Sequence, residues 1–225
     1  KITENSAKKF VDRMIKSGHG AMLEHGTVYL RYDFKAEGDS NSTAYWLWSK
    51  YNENKYSESV QAQPIPGVPN GFVAITTNYR VLVENDWLDD LKYLCEPTEY
   101  HHKRYTVKFI CDRGILAEFT RHRKFSFMAE STRYCNYSKG KFNNELTFII
   151  PCWTNIPEGN YGDVFNPKEP NITLTPNEYA FIDILRETEK YYIGLTNNSW
   201  KAEEARNVLP LCLKTELYIC GFAED

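Results

Sequence analysis

Arg121-His122-Arg123-Lys124-Phe125-Ser126-Phe127-Met128-Ala129-Glu130-Ser131-Thr132-Arg133-Tyr134 is the stretch around which the rest of this chain is read. Its fourteen positions hold three arginines, a lysine, a histidine, one carboxylate and three short hydroxyl side chains. A core segment would not carry so many cations, because each buried guanidinium needs a partner. A solvated helix face would not interleave Phe125, Phe127 and Met128 with the charges. The mixture suits the wall of a site that holds an anion beside a flat ring. Arginine presents a planar fork of donors to phosphate or carboxylate, and aromatic or imidazole rings present faces for stacking.

The surrounding composition sets the frame. A length of 225 residues suffices for one well-buried domain or two small ones, and 42% hydrophobic with 25% charged residues is ordinary for a globular chain. The net charge of −3 gives no global attraction to nucleic acid or anionic lipid. Positive charge is instead local: Arg121, Arg123, Lys124, Arg133, Lys139 and Lys141 face a single acid, Glu130, within that interval. The six cysteines form no Cys-x-x-Cys pair, which argues against a zinc or redox motif, and they read as reduced, buried residues. No apolar run approaches the ~20 residues of a membrane span, and no signal peptide opens the chain. The expectation is a cytoplasmic protein with no membrane partner.

Taken in order, residues 6–17 predict an amphipathic helix with Ala7, Phe10, Val11, Met14 and Ile15 on one face, capped by Asn5 or Ser6 and ended at Gly18. A loop, His19 to His25, leads to an alternating strand from Thr27 to Phe34. Residues 35–104 read as an insertion between two strands, with Pro/Gly-rich loops, β structure from Phe72 to Val83 and a short helix from Asp86 to Leu94. Its apolar content looks too small for a core of its own. The pair His101-His102 reads as solvated. Tyr105, Val107, Phe109 and Cys111 alternate inward on a strand expected to pair with 27–34. Asp112 is a candidate cap for a helix from about Gly114 that runs into the Arg-rich stretch, where Arg121 and Arg123 would point in opposed directions and so serve two sites across a subunit interface. A short strand at 146–151, a Pro/Asn-rich loop at 161–175, a helix begun by Thr175-Pro176-Asn177-Glu178 and stopping before Gly194, and a helix over 200–209 complete the pattern.

Arg121-His122-Arg123, seven residues, Ser131, then Arg133-Tyr134 resembles the signature of the flavin-dependent thymidylate synthases. Two further segments match in the same order. His19-x-x-x-x-Glu24-His25 is similar to a family segment whose first histidine lies near the flavin. Ala205-Arg206-x-x-Leu209-Pro210 is similar to a late motif whose arginine contacts dUMP. The resemblance implies an α+β single domain spanning 1–225, with helices packed around a β-sheet and the end of the family domain missing past residue 225. It implies an enzyme that methylates dUMP to dTMP, with 5,10-methylenetetrahydrofolate as carbon donor, FAD as hydride carrier and NADPH as reductant. It further implies a homotetramer with sites built from several subunits, no metal and no nucleic-acid partner. The residues carried over for dUMP are Glu118, Arg121, Glu130, Ser131, Arg133 and Arg206, with Arg133 and Arg206 stabilising charge in catalysis. Those for FAD are His19, Ala21, Arg121, His122, Arg123 and Ala129.

The chain departs from the family pattern in places. Met128-Ala129 stands where Asn-Glu is usual, so that carboxylate is either absent or shifted to Glu130. Glu118 replaces a glutamine and is expected to face uracil or ribose rather than phosphate; Ala21 replaces a threonine. Two alternatives stay open. A single-stranded nucleic-acid module could use the Arg121–Lys141 cations with Phe125, Phe127 and Tyr134 as stacking platforms. A catalytically inactive relative could retain flavin and nucleotide without turnover.

Overall fold

In the computed structural model, residues 3, 5–35, 40–63, 70–161 and 173–224 are described. The expected proline-rich loop at 64–69 and most of the one at 161–175 lie outside them. The architecture is mixed α/β with small antiparallel sheets. The chain divides into two compact units: Lys1–Val107 with Arg123–Met128 and Tyr218–Asp225, and Lys108–His122 with Ala129–Leu217.

The first unit opens with α1 (Ser6–Lys16), α2 (Gly20–Glu24) and β1 (Thr27–Lys35). Gly18, at φ 66, closes α1 as the sequence predicts, because a left-handed residue there carries no Cβ penalty. Next come α3 (Ser40–Asn52), β2 (Glu58–Ala62), β3 (Asn70–Asn78), α4 (Tyr79–Glu84) and a 3-10 turn at Leu88–Tyr93. The sheet order is β1-β3-β2. This corrects the expected pairing of β1 with the 105–111 strand: β1 lies antiparallel to β3 from Thr27↔Asn78 to Lys35↔Asn70. The reason is burial. Val73 to Asn78 of β3 are all nearly inaccessible, as a central strand requires, whereas Tyr105 and Val107 are exposed instead of inward. The strand also ends earlier than the 72–83 reading, because the Asn78 side chain accepts a hydrogen bond from the Val81 amide and starts α4.

The core of this unit is Val28, Leu30, Phe34, Ala44, Leu47, Tyr51, Val73, Ile75, Val81 and Leu82. All but the first three lie in 35–104, so the segment read as too apolar-poor for a core supplies most of one. His101, expected to be solvated, is 5% exposed. Its ring contacts the Leu30 carbonyl at 3.1 Å and accepts from the Thr98 amide at 3.0 Å. Burial lowers its pKa, so it packs as a neutral ring. His25 likewise has both ring nitrogens shielded from solvent and a pKa lowered by burial.

Strands β4 (Arg104–Asp112), β5 (Ser126–Ala129) and β6 (Lys214–Phe222) form a three-stranded sheet of order β4-β6-β5. The second unit adds α5 (Arg113–Phe119), a 3-10 turn at Gly140–Phe142, α6 (Pro176–Asn197), α7 (Ala202–Ala205) and a 3-10 turn at Arg206–Val208. The capping box predicted at Thr175 and Glu178 is present: the Thr175 hydroxyl accepts from the Glu178 amide and the Glu178 carboxylate accepts from the Thr175 amide. Ile182 and Tyr192 face inward as expected. However, α6 does not stop before Gly194, because a helical glycine costs only about 1 kcal/mol and packing overrides it. The expected strand at 146–151 is a single bridge, Phe148↔Leu213. Around it, Tyr137, Leu146, Tyr192, Ala205 and Leu213 make the main core of this unit.

Candidate functional site

Asp112 caps α5 as predicted, its carboxylate accepting from the Ile115 amide at 2.7 Å. The helix does not run into the Arg-rich stretch. It stops at Phe119, and the chain leaves it through turns in which the Arg121 and His122 amides reach the Glu118 and Phe119 carbonyls at 3.2 and 3.0 Å. The opposed-face argument for Arg121 and Arg123 therefore falls. Local pattern explains the break: from Phe125 the apolar residues recur every second position, Phe125 and Phe127, which is strand period rather than helix period. Phe125 packs directly over Gly221, where a Cβ would lie 2.2 Å from the ring.

In the second unit Arg121 and Glu118 form an exposed pair at 2.8 Å, with side chains 75% and 69% accessible. An ion pair that open holds little energy and is free to exchange partners. After β5 the backbone turns at Ser131, whose carbonyl accepts from the Tyr134 and Cys135 amides at 3.1 and 2.9 Å, while its hydroxyl accepts from the Arg133 amide at 3.3 Å. Arg133 is exposed with its guanidinium 5.6 Å from the Tyr134 ring centroid. Arg206 is exposed at the head of its 3-10 turn, anchored by the fully buried Ala205 before it. Among the described residues neither guanidinium has an ion-pair partner.

Glu130 behaves differently. Its side chain is 10% exposed, its amide donates to the Glu216 carbonyl at 3.0 Å, and its carboxylate meets Lys214 Nζ at 3.6 Å. Lys214 also reaches Glu216 at 3.1 Å, and Glu216 reaches Lys108 at 2.9 Å. The other Glu130 oxygen, Oε1, is buried without a hydrogen bond. Adjacent strand residues point to opposite faces, so moving the carboxylate one place along from Ala129 turns it toward this network. The Lys108-Glu216-Lys214-Glu130 chain was missed from sequence. Its only signal was Lys214-x-Glu216 on one strand face.

In the first unit His19 precedes α2 and is exposed, as are Ala21 and Arg123. His122, in the second unit, is exposed as well. Arg123 has no ion-pair partner among the described residues. Two surface grooves of about 420 and 430 Å³ are lined by Asp183, Ile184, Glu187, Thr188, Tyr191 and Val208, and by Lys9, Asp12, Arg13, Lys16 and Ser17. No predicted site residue lines either. Among the described residues no cluster of three His, Cys, Asp or Glu could hold a metal ion, and no helix is long and apolar enough to cross a membrane.

The fold and its exposed guanidiniums define a mixed α/β protein with exposed cationic side chains on the turns around β5. A family model described as thymidylate synthase complementing protein matches residues 70–223, more than half of the chain, and the chain belongs to that family. The match includes 70–104, the second half of the segment read as an insertion. No curated protein matches. Among solved structures, the chain is similar to the UMP/dUMP methylase PolB from Streptomyces cacaoi bound with 5-Br dUMP, at 20% identity and TM-score 0.36, over 53% of this chain and 50% of that one. It is also similar to the flavin-dependent thymidylate synthase ThyX from Helicobacter pylori with FAD and dUMP. One structure of that protein gives 20% identity, TM-score 0.33 and 53% of each chain. A second gives 17%, 0.34, and 64% of this chain with 60% of that one. This chain thus spans about half the length of the solved structures first matched.

Proposed function

We propose that this protein methylates dUMP to dTMP, with 5,10-methylenetetrahydrofolate and NADPH as co-substrates, FAD as resident cofactor and a homotetramer as the working form. We further take residues 1–225 as one domain of the family. The observation that carries the reading is the family match over 70–223, which contains the complete Arg121-His122-Arg123…Ser131-x-Arg133 signature and Arg206.

The donor set fits both ligands. The exposed guanidiniums of Arg121, Arg133 and Arg206 and the Ser131 hydroxyl suit the phosphate and the uracil oxygens of dUMP. Glu118, freed from its exposed pair with Arg121 when that side chain takes an anion, is the acceptor in this reading for a ribose or uracil donor. His19, His122 and Arg123 are exposed and suit a flavin dinucleotide, the imidazoles by stacking and the guanidinium by pairing with pyrophosphate; Ala21 and Ala129, assigned to the same ligand, offer it small side chains. Bound FAD supplies the hydride. The chain's own part is to orient the nucleotide and to hold Arg133 and Arg206 where negative charge develops on the uracil carbonyl oxygens, which is electrostatic preorganisation. Because its carboxylate is engaged by Lys214, Glu130 contributes to dUMP binding by holding β5 and the Ser131 turn in register.

The test is direct. Purified protein should show a flavin absorption spectrum and oxidise NADPH faster with dUMP present. Arg133→Ala should weaken dUMP binding by about 10- to 100-fold, the equivalent of one charge-assisted hydrogen bond at ~1.5–3 kcal/mol. A colourless protein that takes up no added FAD, or an Arg133→Ala variant binding dUMP like the parent, refutes the reading.

A further inference from the structure

Arg80 lies in the first turn of α4, two residues after the Asn78 cap, on a helix fixed by the buried Val81 and Leu82 and by the Tyr79 amide bonded to the Gly26 carbonyl at 2.8 Å. Its guanidinium is held from two sides. Nη1 donates to Glu24 Oε1, at the end of α2, and Nε donates to Glu84 Oε1 at 2.6 Å. Between those anchors the end of the Arg80 side chain passes close to Gly20, the first residue of α2. A Cβ there would sit 2.7 Å from Nε, 3.0 Å from Cζ and 3.1 Å from Cδ. The other end of the same segment is tied to α1 through the His19 amide and the Met14 carbonyl at 3.0 Å.

We propose that Arg80 is a positioning residue for flavin binding: it clamps the His19-Gly20-Ala21 segment through Glu24 and through its contact with Gly20. The proposal rests on the assignment of His19 and Ala21 to the flavin. Three features support it. The segment is only five residues from His19 to Leu23 before the clamp at Glu24, too short to hold its own geometry. Gly20 leaves room for this approach, since a Cβ there would displace the end of the Arg80 side chain from between its two carboxylates. Finally, a small displacement of a ligand-contacting group has a disproportionate effect on a stacked, hydrogen-bonded ligand. Arg80 itself need not touch the flavin.

The experiment is FAD titration, by spectral shift and flavin fluorescence, of the full chain and four variants, with thermal unfolding recorded on each. Arg80→Ala should raise the FAD dissociation constant by ~10-fold or more. Gly20→Ala, which keeps all three charged groups but displaces the guanidinium, should do the same, and Arg80→Lys should recover part of the loss. Lys190→Ala, at an exposed position on α6 outside both assigned sites, should leave FAD affinity near the parent's and so show that loss of a surface cation is not enough. A parent that binds FAD while both Arg80→Ala and Gly20→Ala bind it equally well overturns the clamp. So does a fall in unfolding temperature with unchanged FAD affinity, which would make Arg80 a stability residue only. A parent that binds no FAD overturns the functional reading beneath it and the clamp with it.

Discussion

Asp90→Asn in the first unit gives the sharpest test of how that unit is held together. Asp90 is 4% exposed, accepts the Tyr51 hydroxyl at 2.8 Å, and pairs with Lys50, whose side chain is 11% exposed. The Lys50 ammonium also sits 3.8 Å from the Trp46 ring centroid and 4.7 Å from that of Trp87. Burial first, and then the bond to Asp90, raise the Tyr51 pKa, so its hydroxyl stays a donor. Asparagine keeps an acceptor for that hydroxyl but leaves Lys50 as a buried cation with no counter-charge. Breaking a buried pair in this way costs about 3–5 kcal/mol; the aromatic faces hold the ammonium in parent and variant alike, and Lys50 is 11% exposed, so the lower end, about 3 kcal/mol, is expected. At ~3 °C per kcal/mol for a chain of this size, the midpoint should fall by about 9 °C. Three of the five tryptophans, Trp46, Trp48 and Trp87, belong to this unit, so tryptophan fluorescence during thermal or urea unfolding is weighted toward it. Adding Lys50→Met to Asp90→Asn removes the orphaned charge and should recover more than half the loss. A single variant within about 0.5 kcal/mol of the parent, or a double variant no better than the single, refutes the assignment of a buried, mutually dependent pair.

Two further outcomes are expected. Gly221→Ala places a Cβ 2.2 Å from the Phe125 ring, so Phe125 must leave its seat and drag the neighbouring Arg123 with it; FAD affinity should drop by ~10-fold or more, and unchanged binding would dissociate Arg123 from the flavin. Glu178 accepts from the Thr175 and Asn155 amides and from the Thr175 hydroxyl, which hold its pKa below the usual 4.5. A depressed carboxylate contributes fully above the unfolded value and loses that contribution as pH falls through the folded one. The unfolding temperature should therefore decline below about pH 4.5, and Glu178→Gln should flatten that decline; an identical acid limb in the variant would exclude this group as a source.

The features legible in the sequence are those set by neighbours a few residues apart. Asp112 caps α5 and Thr175 with Glu178 starts α6, because a cap is made by residues three positions apart and needs no knowledge of the rest of the fold. The family is legible for a related reason: its spacing from Arg121 to Arg133 is a linear pattern. Helix length was not. The stretch after Phe119 was read as helix, but once Phe125 is seated on Gly221, strand period wins over the propensity of the cations around it.

What the tertiary structure decided is every pairing between distant residues. The alternating pattern pairs β1 with the 105–111 strand; burial chose β3 instead, whose continuously inaccessible side chains need cover on both faces. Arg80 and Glu24 are 56 positions apart, and nothing local marks either as the other's partner. Glu130 could be read from sequence as a displaced ligand carboxylate; the pleat of β5 and Lys214 on β6 turn it inward. Local order follows from short-range hydrogen bonds and steric limits, which the sequence states outright. Strand partners and charge partners follow from which surfaces must leave water together, and that is fixed only when the chain has folded.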